Sequence, residues 1–139
     1  AQVDVAMDLA DLNFRAGSLE AAITSLDLGA RLAEEAGLLP LVFDIAEARR
    51  VANAAAGNNA DALGDIRLME RMSRLIGMPA LDARLCEAQG DHNHSLSIPG
   101  AAAAWWDKSA TLWEELSRGD DAARCKAKKA SLPGGETTV

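Results

Sequence analysis

Apolar residues recur along most of the chain at steps of three and four, the spacing that places them on one face of an α-helix. In the stretch AGSLEAAITSLDLGARLAEEAGL, residues 16–38, they include Ala22, Ile23 and Leu26. A second stretch, AGNNADALGDIRLMERMSRLIGM, residues 56–78, aligns with the first without gaps and is apolar at the matching positions. The pattern therefore predicts amphipathic helices in units that repeat about every forty residues.

Glycines divide this pattern at intervals of about twenty residues, and a glycine after a helix supplies the left-handed conformation that ends it. Proline follows shortly after two of them, at Pro40 and Pro79, as expected where the next helix begins. We therefore expect each unit to be a hairpin of two helices. The dividing glycines are Gly17, Gly37, Gly57 and Gly77.

The later part of the chain follows the pattern less closely. Gly90 is expected to end a helix, the polar stretch at 91–99 to be an insertion between helices, and Ser97 to cap the next helix. Asp120 is the expected N-cap of the last helix. The predicted organisation is a single helical domain over 1–132, with units at 1–38, 39–78 and 79–118, a partial unit at 119–132, and a flexible tail at 133–139.

The repeat resembles the tetratricopeptide-repeat superfamily, in the longer-period form common in large bacterial transcriptional regulators and signalling proteins. The resemblance covers about 1–132 and implies an all-α fold, a right-handed stack of antiparallel helical hairpins with about seven helices. Arg49 and Arg50 depart from it, because the family has Leu and Gly there. The alternative is an alanine-rich bundle with coincidental glycine spacing. The positions that fit the family are Leu19, Ala22, Ile23, Leu26 and Gly29.

Composition narrows the function. The 139 residues are 49% hydrophobic but only 4% aromatic, which favours closely packed helices rich in alanine. A net charge of −7 argues against a nucleic-acid surface, which needs clustered cations. No apolar run approaches the roughly 20 residues that cross a bilayer, and the first residues do not form a secretory signal. We expect a cytoplasmic protein without membrane contact, and, because the sequence begins without Met, a segment of a larger one.

The sequence offers one candidate metal site. Asp91, His92 and His94 lie close together, and Cys86 precedes them by about one or two helical turns. The alternative, an inter-helix loop without metal, is better supported because ligands so close in sequence would reach one metal only with strain. Cys86 and Cys125 have no zinc-type spacing and are expected to be free thiols. No metal or cofactor is predicted.

No catalytic motif is present. The chain has no GxGxxG, P-loop or HExxH sequence, and its histidines lack the nucleophile and orienting group that acyl-transfer chemistry requires. We therefore expect no enzymatic activity in this segment.

All three tryptophans lie on one predicted helix. Trp106 and Trp113 share one stripe of it, and Trp105 lies about a quarter-turn away. The favoured interpretation is that these rings belong to the core. The alternative is that Trp106 and Trp113 form an exposed stripe that binds a partner.

The resemblance to tetratricopeptide repeats implies a concave surface lined by the first helix of each hairpin. Carboxylates predominate there, so the surface would favour a basic or amphipathic partner. The alternative is that these residues are solvated helix faces. The charged candidates for partner binding are Asp4, Asp11, Arg15, Asp44, Glu47, Arg84 and Glu87, and Met7, Phe14 and Val51 are expected on the same surface.

The basic run ARCKAKK, which begins at Ala123, is interpreted as the solvated face of the last helix rather than as a nucleic-acid or lipid site. The expected function is non-catalytic: a protein-interaction or regulatory segment with a protein or peptide partner and no direct nucleic-acid contact. Its open ends would stack on further repeats or on a second copy. The alternative is a domain that senses a small ligand and controls an attached output module.

Overall fold

The computed structural model describes residues 2–133. Within this range the chain forms seven α-helices and no strand. The predicted all-α fold of stacked helices is therefore confirmed. Residues 134–139, most of the predicted tail at 133–139, lie outside the described residues. The helices are α1 (Gln2–Arg15), α2 (Leu19–Glu35), α3 (Leu39–Ala55), α4 (Asn59–Ile76), α5 (Pro79–Ser95), α6 (Pro99–Glu115) and α7 (Gly119–Ala130).

The connections between helices share one backbone feature. A residue in the left-handed conformation follows each of α1 to α6. Gly17, Gly37, Gly57 and Gly77 have φ values of 79°, 71°, 80° and 72°, which confirms the predicted glycine caps. After Gly17, Gly37 and Gly57, the amide of the next residue bonds to a carbonyl five residues back, for example Ser18 N to Asn13 O at 2.8 Å. This is a Schellman motif, which satisfies carbonyls that the helix leaves without intrahelical partners.

The same left-handed conformation also occurs after α5, where the sequence predicted an insertion, and after α6. Ser97 and Ser117 take left-handed conformations with φ of 60° and 58°. The amide of Ile98 bonds to the carbonyl of Asn93 at 2.9 Å, as in the earlier turns. Left-handed residues therefore stand at positions 17, 37, 57, 77, 97 and 117, and the helical period is unbroken.

Four local predictions are corrected by these bounds. Gly90 lies inside α5 and does not end a helix, and 91–95 form the last residues of α5, so the predicted insertion at 91–99 is wrong. Ile98, not Ser97, is the N-cap of α6. Asp120 lies in the first turn of α7, where its carboxylate faces the positive end of the helix dipole.

The described residues form two compact units, divided between residues 76 and 77. In the first unit, α1 to α4 pack in sequence through small residues. A Cβ added at Gly29 of α2 would lie 3.5 Å from Cδ1 of Ile45 on α3 and 3.6 Å from the Cβ of Ala6 on α1. A Cβ at this position would therefore make ordinary van der Waals contact with both neighbours, so α2 packs closely on α1 and α3 around Gly29. Apolar side chains such as Phe43 and Ile66 fill the rest of this core.

In the second unit, α6 packs between α5 and α7. Trp106 and Trp113 are 2% and 3% exposed, and both belong to the core of this unit. The core interpretation of these tryptophans is confirmed, and the alternative of an exposed binding stripe is wrong because α5 and α7 cover it. Ser109 donates to the Ala83 carbonyl at 2.8 Å, and the buried Cys125 thiol lies 3.4 Å from the Ser109 hydroxyl. Neither cysteine forms a disulfide. None of the described helices is long and apolar enough to cross a bilayer.

Candidate partner-binding groove

The first unit contains an apolar groove between α1 and α3, with α2 as its floor. Its volume is about 260 Å³. The lining residues are Met7, Ala10, Asp11 and Phe14 of α1, Ala22 and Leu26 of α2, and Ala48 and Val51 of α3.

Helical periodicity and residue size explain the groove. Met7, Asp11 and Phe14 are separated by four and three residues, so α1 presents them on one side. Three of the lining residues are alanines, Ala10, Ala22 and Ala48. Their small side chains leave open the space that larger side chains would fill. Phe14 and Val51 are 39% and 40% exposed, so part of the apolar lining is accessible.

The structure places some of the predicted partner-binding residues at this groove. Asp11 lines it and forms an ion pair with Arg15 at 3.1 Å, with both side chains exposed. Asp4 is also exposed on α1, about two helical turns before Asp11. Asp44 is exposed and Glu47 is half-buried on α3, but neither lines the groove. Met7, Phe14 and Val51, which the resemblance placed on the concave surface, all line the groove.

The sequence did not point to Ala10 and Ala48, the small residues that open the groove. Both fall on the helical stripes of residues that were predicted to face inward, because Ala10 is three residues from Met7 and Ala48 is three from Val51. Small size at those positions was the available signal. It went unused because alanine is abundant throughout the chain.

Glu87 has an internal role, which corrects its prediction as a partner-binding residue. It is 8% exposed on α5, and its carboxylate accepts hydrogen bonds from Arg124 at 2.6 and 2.8 Å and from Lys128 at 2.7 Å, both on α7. Glu87 therefore ties α7 to α5. Arg84, another predicted site residue, is half-buried on α5.

The remaining basic side chains of α7 are also paired within the second unit. Lys126 contacts Glu114 at 2.6 Å, and Lys129 contacts Asp107 at 2.9 Å. Together with Lys128 and Arg124, these pairs direct the basic run toward acidic groups of α5 and α6. The interpretation of this run as a helix face, rather than as a nucleic-acid or lipid site, is consistent with this pairing.

The stretch DHNHS contributes to packing. Trp106 Nε1 donates to Asp91 Oδ1 at 3.0 Å, and Lys128 Nζ donates to the same oxygen at 2.9 Å. His92 is buried, whereas His94 is exposed with its ring centre 5.6 Å from that of Trp106. Nowhere in residues 2–133 do three or more His, Cys, Asp or Glu side chains converge as metal ligands would. The structure thus offers no support for the zinc hypothesis.

The surroundings of Glu87 favour its ionised form. Burial raises its pKa, but the hydrogen bonds from Arg124 and Lys128 outweigh burial and lower the pKa to about 2 from an ordinary value of 4.5. A carboxylate whose pKa is lowered in the folded state stabilises the fold above pH 4.5. That contribution is lost as the pH falls toward 2.

Glu87→Gln is therefore expected to reduce the free energy of unfolding at pH 7 by about 2 kcal/mol, allowing for solvent screening of the two partly exposed cations. Its loss of stability between pH 7 and pH 3.5 should also be smaller than that of the unmodified protein. The measurement is urea unfolding followed by tryptophan fluorescence, which reports the second unit because all three tryptophans lie on α6.

The matched control is Glu114→Gln, because the pair that Glu114 forms with Lys126 has side chains 52% and 63% exposed. Removal of such a surface pair should cost less than about 0.5 kcal/mol. An acid dependence that is the same in Glu87→Gln and in the unmodified protein would contradict the assigned role of Glu87.

Comparison with models of known protein families gives no match to this chain, and a search of curated proteins finds no similar sequence. The seven helices, packed on their neighbours in sequence within each unit, are compatible with a helical repeat.

Proposed function

We propose that the first unit is a non-catalytic protein-interaction module whose groove between α1 and α3 receives an apolar side chain from a basic, amphipathic partner segment. The observation that carries the proposal is the groove itself: an accessible apolar cleft of about 260 Å³ with a carboxylate, Asp11, in its wall. Such a cleft exposes apolar surface that a partner segment would remove from water.

Charge supports the basic character of the partner. Among the described residues that line the groove, Asp11 alone is charged, and Asp4 is exposed on the same helix. The whole chain has a net charge of −7. A cation placed beside the partner's apolar side chain would meet Asp11, and the overall charge would speed association. Because the groove exists in the free protein, binding requires little ordering of this unit.

We also propose that the chain is a tetratricopeptide-like regulatory segment of a bacterial cytoplasmic protein, the role expected from the resemblance. The unbroken helical period and the position of the groove between the first helices of successive hairpins support it. The small-ligand sensor has less support, because pockets for drug-sized ligands typically measure about 300 to 1,000 Å³. The volume of this groove suits one side chain better than a whole metabolite.

The test uses a fluorescein-labelled helical peptide of leucine and lysine, with leucines on one face, titrated with the full chain and followed by fluorescence anisotropy. Asp11→Lys should weaken binding about tenfold, which corresponds to about 1.4 kcal/mol. Ala48→Leu, which narrows the groove without a change of charge, should weaken it by a similar factor. Circular dichroism checks that both variants are folded.

The matched control is Asp61→Lys, which makes the same change of charge at an exposed position of α4 outside the groove. Equal weakening by Asp11→Lys and Asp61→Lys would show that the peptide responds only to net charge and would contradict the proposal. A thermal shift with zinc, a nucleotide or a metabolite that Ala48→Leu abolishes would favour the sensor instead.

A further inference from the structure

The helical period allows the two units to be compared position by position. Left-handed residues follow α1 and α2 at Gly17 and Gly37, and they follow α5 and α6 at Ser97 and Ser117. The helices α2 and α6 also have the same length, 17 residues. The groove of the first unit, between α1 and α3 over α2, therefore corresponds to the space between α5 and α7 over α6.

In the second unit this space is filled by two side chains that share one carboxylate. The Trp106 indole of α6 lies directly on the backbone of α5 at Gly90, and its Nε1 donates to Asp91 Oδ1 at 3.0 Å. Lys128 of α7 donates to the same oxygen at 2.9 Å. The centre of the His94 ring is 5.6 Å from that of the indole. The second unit thus contains an occupied counterpart of the groove.

The first unit keeps the carboxylate but has short side chains in place of the two that fill the space. Asp11 stands where the second unit has the shared carboxylate, Leu26 where it has the indole, and Ala48 where it has the lysine. Neither Leu26 nor Ala48 carries a side-chain donor. The groove of about 260 Å³ therefore lies where an indole and an ammonium group lie in the second unit.

The rest of the lining suits a flat ring that enters from solvent. Phe14 stands in place of His94 and is 39% exposed, so an indole can pack against an aromatic ring there as well. Ala10 stands in place of Gly90 and carries the Cβ that the glycine lacks. An inserted ring must therefore lie farther from the α1 backbone than Trp106 lies from that of α5.

Asp11 is accessible to a donor from such a ring. Its side chain is 59% exposed, and it pairs with Arg15, whose side chain is 75% exposed. An ion pair this exposed contributes little to stability, so Asp11 can give it up for a better-shielded contact at small cost. A hydrogen bond to an ionised carboxylate is stronger than one between neutral groups. The carboxylate can therefore distinguish a ring with an N–H from one without.

We propose that the side chain which enters the groove is the indole of a tryptophan, whose N–H donates to Asp11, and that a lysine beside it in the partner segment contacts the same carboxylate. This inference rests on the proposed function, which supplies the partner segment, and it names the side chain that the groove selects. The partner reproduces the arrangement of Trp106 and Lys128 in the second unit. A leucine in the groove would fill apolar space but leave Asp11 without the indole donor.

The test compares three fluorescein-labelled helical peptides that differ at one position of the apolar face. That position is leucine, tryptophan or benzothienylalanine, the tryptophan analogue in which sulfur replaces the N–H, and all three carry lysines on the other face. Each peptide is titrated with the full chain and followed by fluorescence anisotropy. The tryptophan peptide should bind about tenfold more tightly than the benzothienylalanine peptide, because the analogue keeps the ring but lacks the donor.

Variants of the protein locate the donor's acceptor. Asp11→Ala should reduce the tenfold ratio between these two peptides to about one, whereas Asp61→Ala, the matched control at an exposed position of α4, should leave the ratio unchanged. A third variant with Ala10→Gly, Leu26→Trp and Ala48→Lys carries the residues that fill the space in the second unit. It should bind all three peptides at least tenfold more weakly. Circular dichroism verifies that the variants are folded.

Equal affinity of the tryptophan and benzothienylalanine peptides, or a ratio that Asp11→Ala leaves unchanged, would overturn the indole assignment. The proposed function would survive that result if Ala48→Leu still weakens the leucine peptide. If Ala48→Leu weakens none of the three peptides, both proposals fail. Free tryptamine, an indole with an ammonium group, is the remaining probe. Binding of tryptamine as tight as that of the tryptophan peptide would assign the groove to a small molecule and overturn recognition of a partner side chain.

Discussion

Gly90→Ala is expected to destabilise the second unit by about 3 kcal/mol, at the upper end of the usual cost of overpacking a core. The Trp106 indole lies directly on the backbone of α5 at Gly90, and a Cβ there would overlap its ring. Trp106 has no room to withdraw, since it is 2% exposed and its Nε1 is bonded to Asp91. Urea unfolding followed by tryptophan fluorescence measures the loss.

Gly100→Ala is the control, because nothing lies within 4 Å of the Cβ position at Gly100 in the first turn of α6. There the same substitution should be neutral or stabilise by up to about 1 kcal/mol, from the higher helix propensity of alanine. A double variant with Trp106→Leu should lose less than the sum of its two single changes, because the overlap is then relieved. A loss below about 1 kcal/mol for Gly90→Ala alone would refute the overlap argument.

Gly90 also shows where local sequence signals stop being informative. The glycine caps at Gly17 to Gly77 were predicted correctly, because a helix end depends on residues within one turn of it. Gly90 has the same side chain but a different role, set by Trp106 on another helix. The polar residues that follow it then made a loop the natural interpretation. At the true turn, Ser97 replaces glycine, so the expected signal was absent.

The candidate site likewise combines residues whose placement agrees with the sequence analysis and residues whose role the sequence analysis could not resolve. The resemblance placed Met7, Phe14 and Val51 on one surface, and all three line the same groove. It could not distinguish Asp11, which remains exposed at the groove, from Glu87, which is buried beneath cations of α7. That difference depends on which helix packs above each carboxylate, and residue spacing within one helix does not contain it.

Asp65→Ala is expected to cost the first unit about 3 kcal/mol, because it removes one member of a buried polar cluster and takes away the acceptor of Arg49 Nε and of the Asn53 amide. The Asp65 side chain is 4% exposed on α4 and accepts from Arg49 Nε at 2.6 Å and from the buried Asn53 amide at 2.8 Å. Burial raises the pKa of Asp65, and the hydrogen bonds from Arg49 and Asn53 act in the opposite direction. Burial outweighs the hydrogen bonds, so the pKa is raised, and unfolding should be measured at pH 8, far above the ordinary value of 3.8.

Asp27→Ala is the matched control for this cluster, because Asp27 binds the same Arg49 at 3.0 Å but is 56% exposed. Its removal should cost only about 0.5 kcal/mol, since an exposed ion pair exchanges protein contacts for water at little net loss. Hydrogen exchange of the α3 and α4 amides measures the first unit, which contains no tryptophan, and circular dichroism during urea unfolding follows the helices of both units. Faster exchange in Asp65→Ala than in Asp27→Ala is the expected result. Equal losses in the two variants would mean that Arg49 is stabilised mainly from the solvent side, so that the buried carboxylate contributes no more than the exposed one.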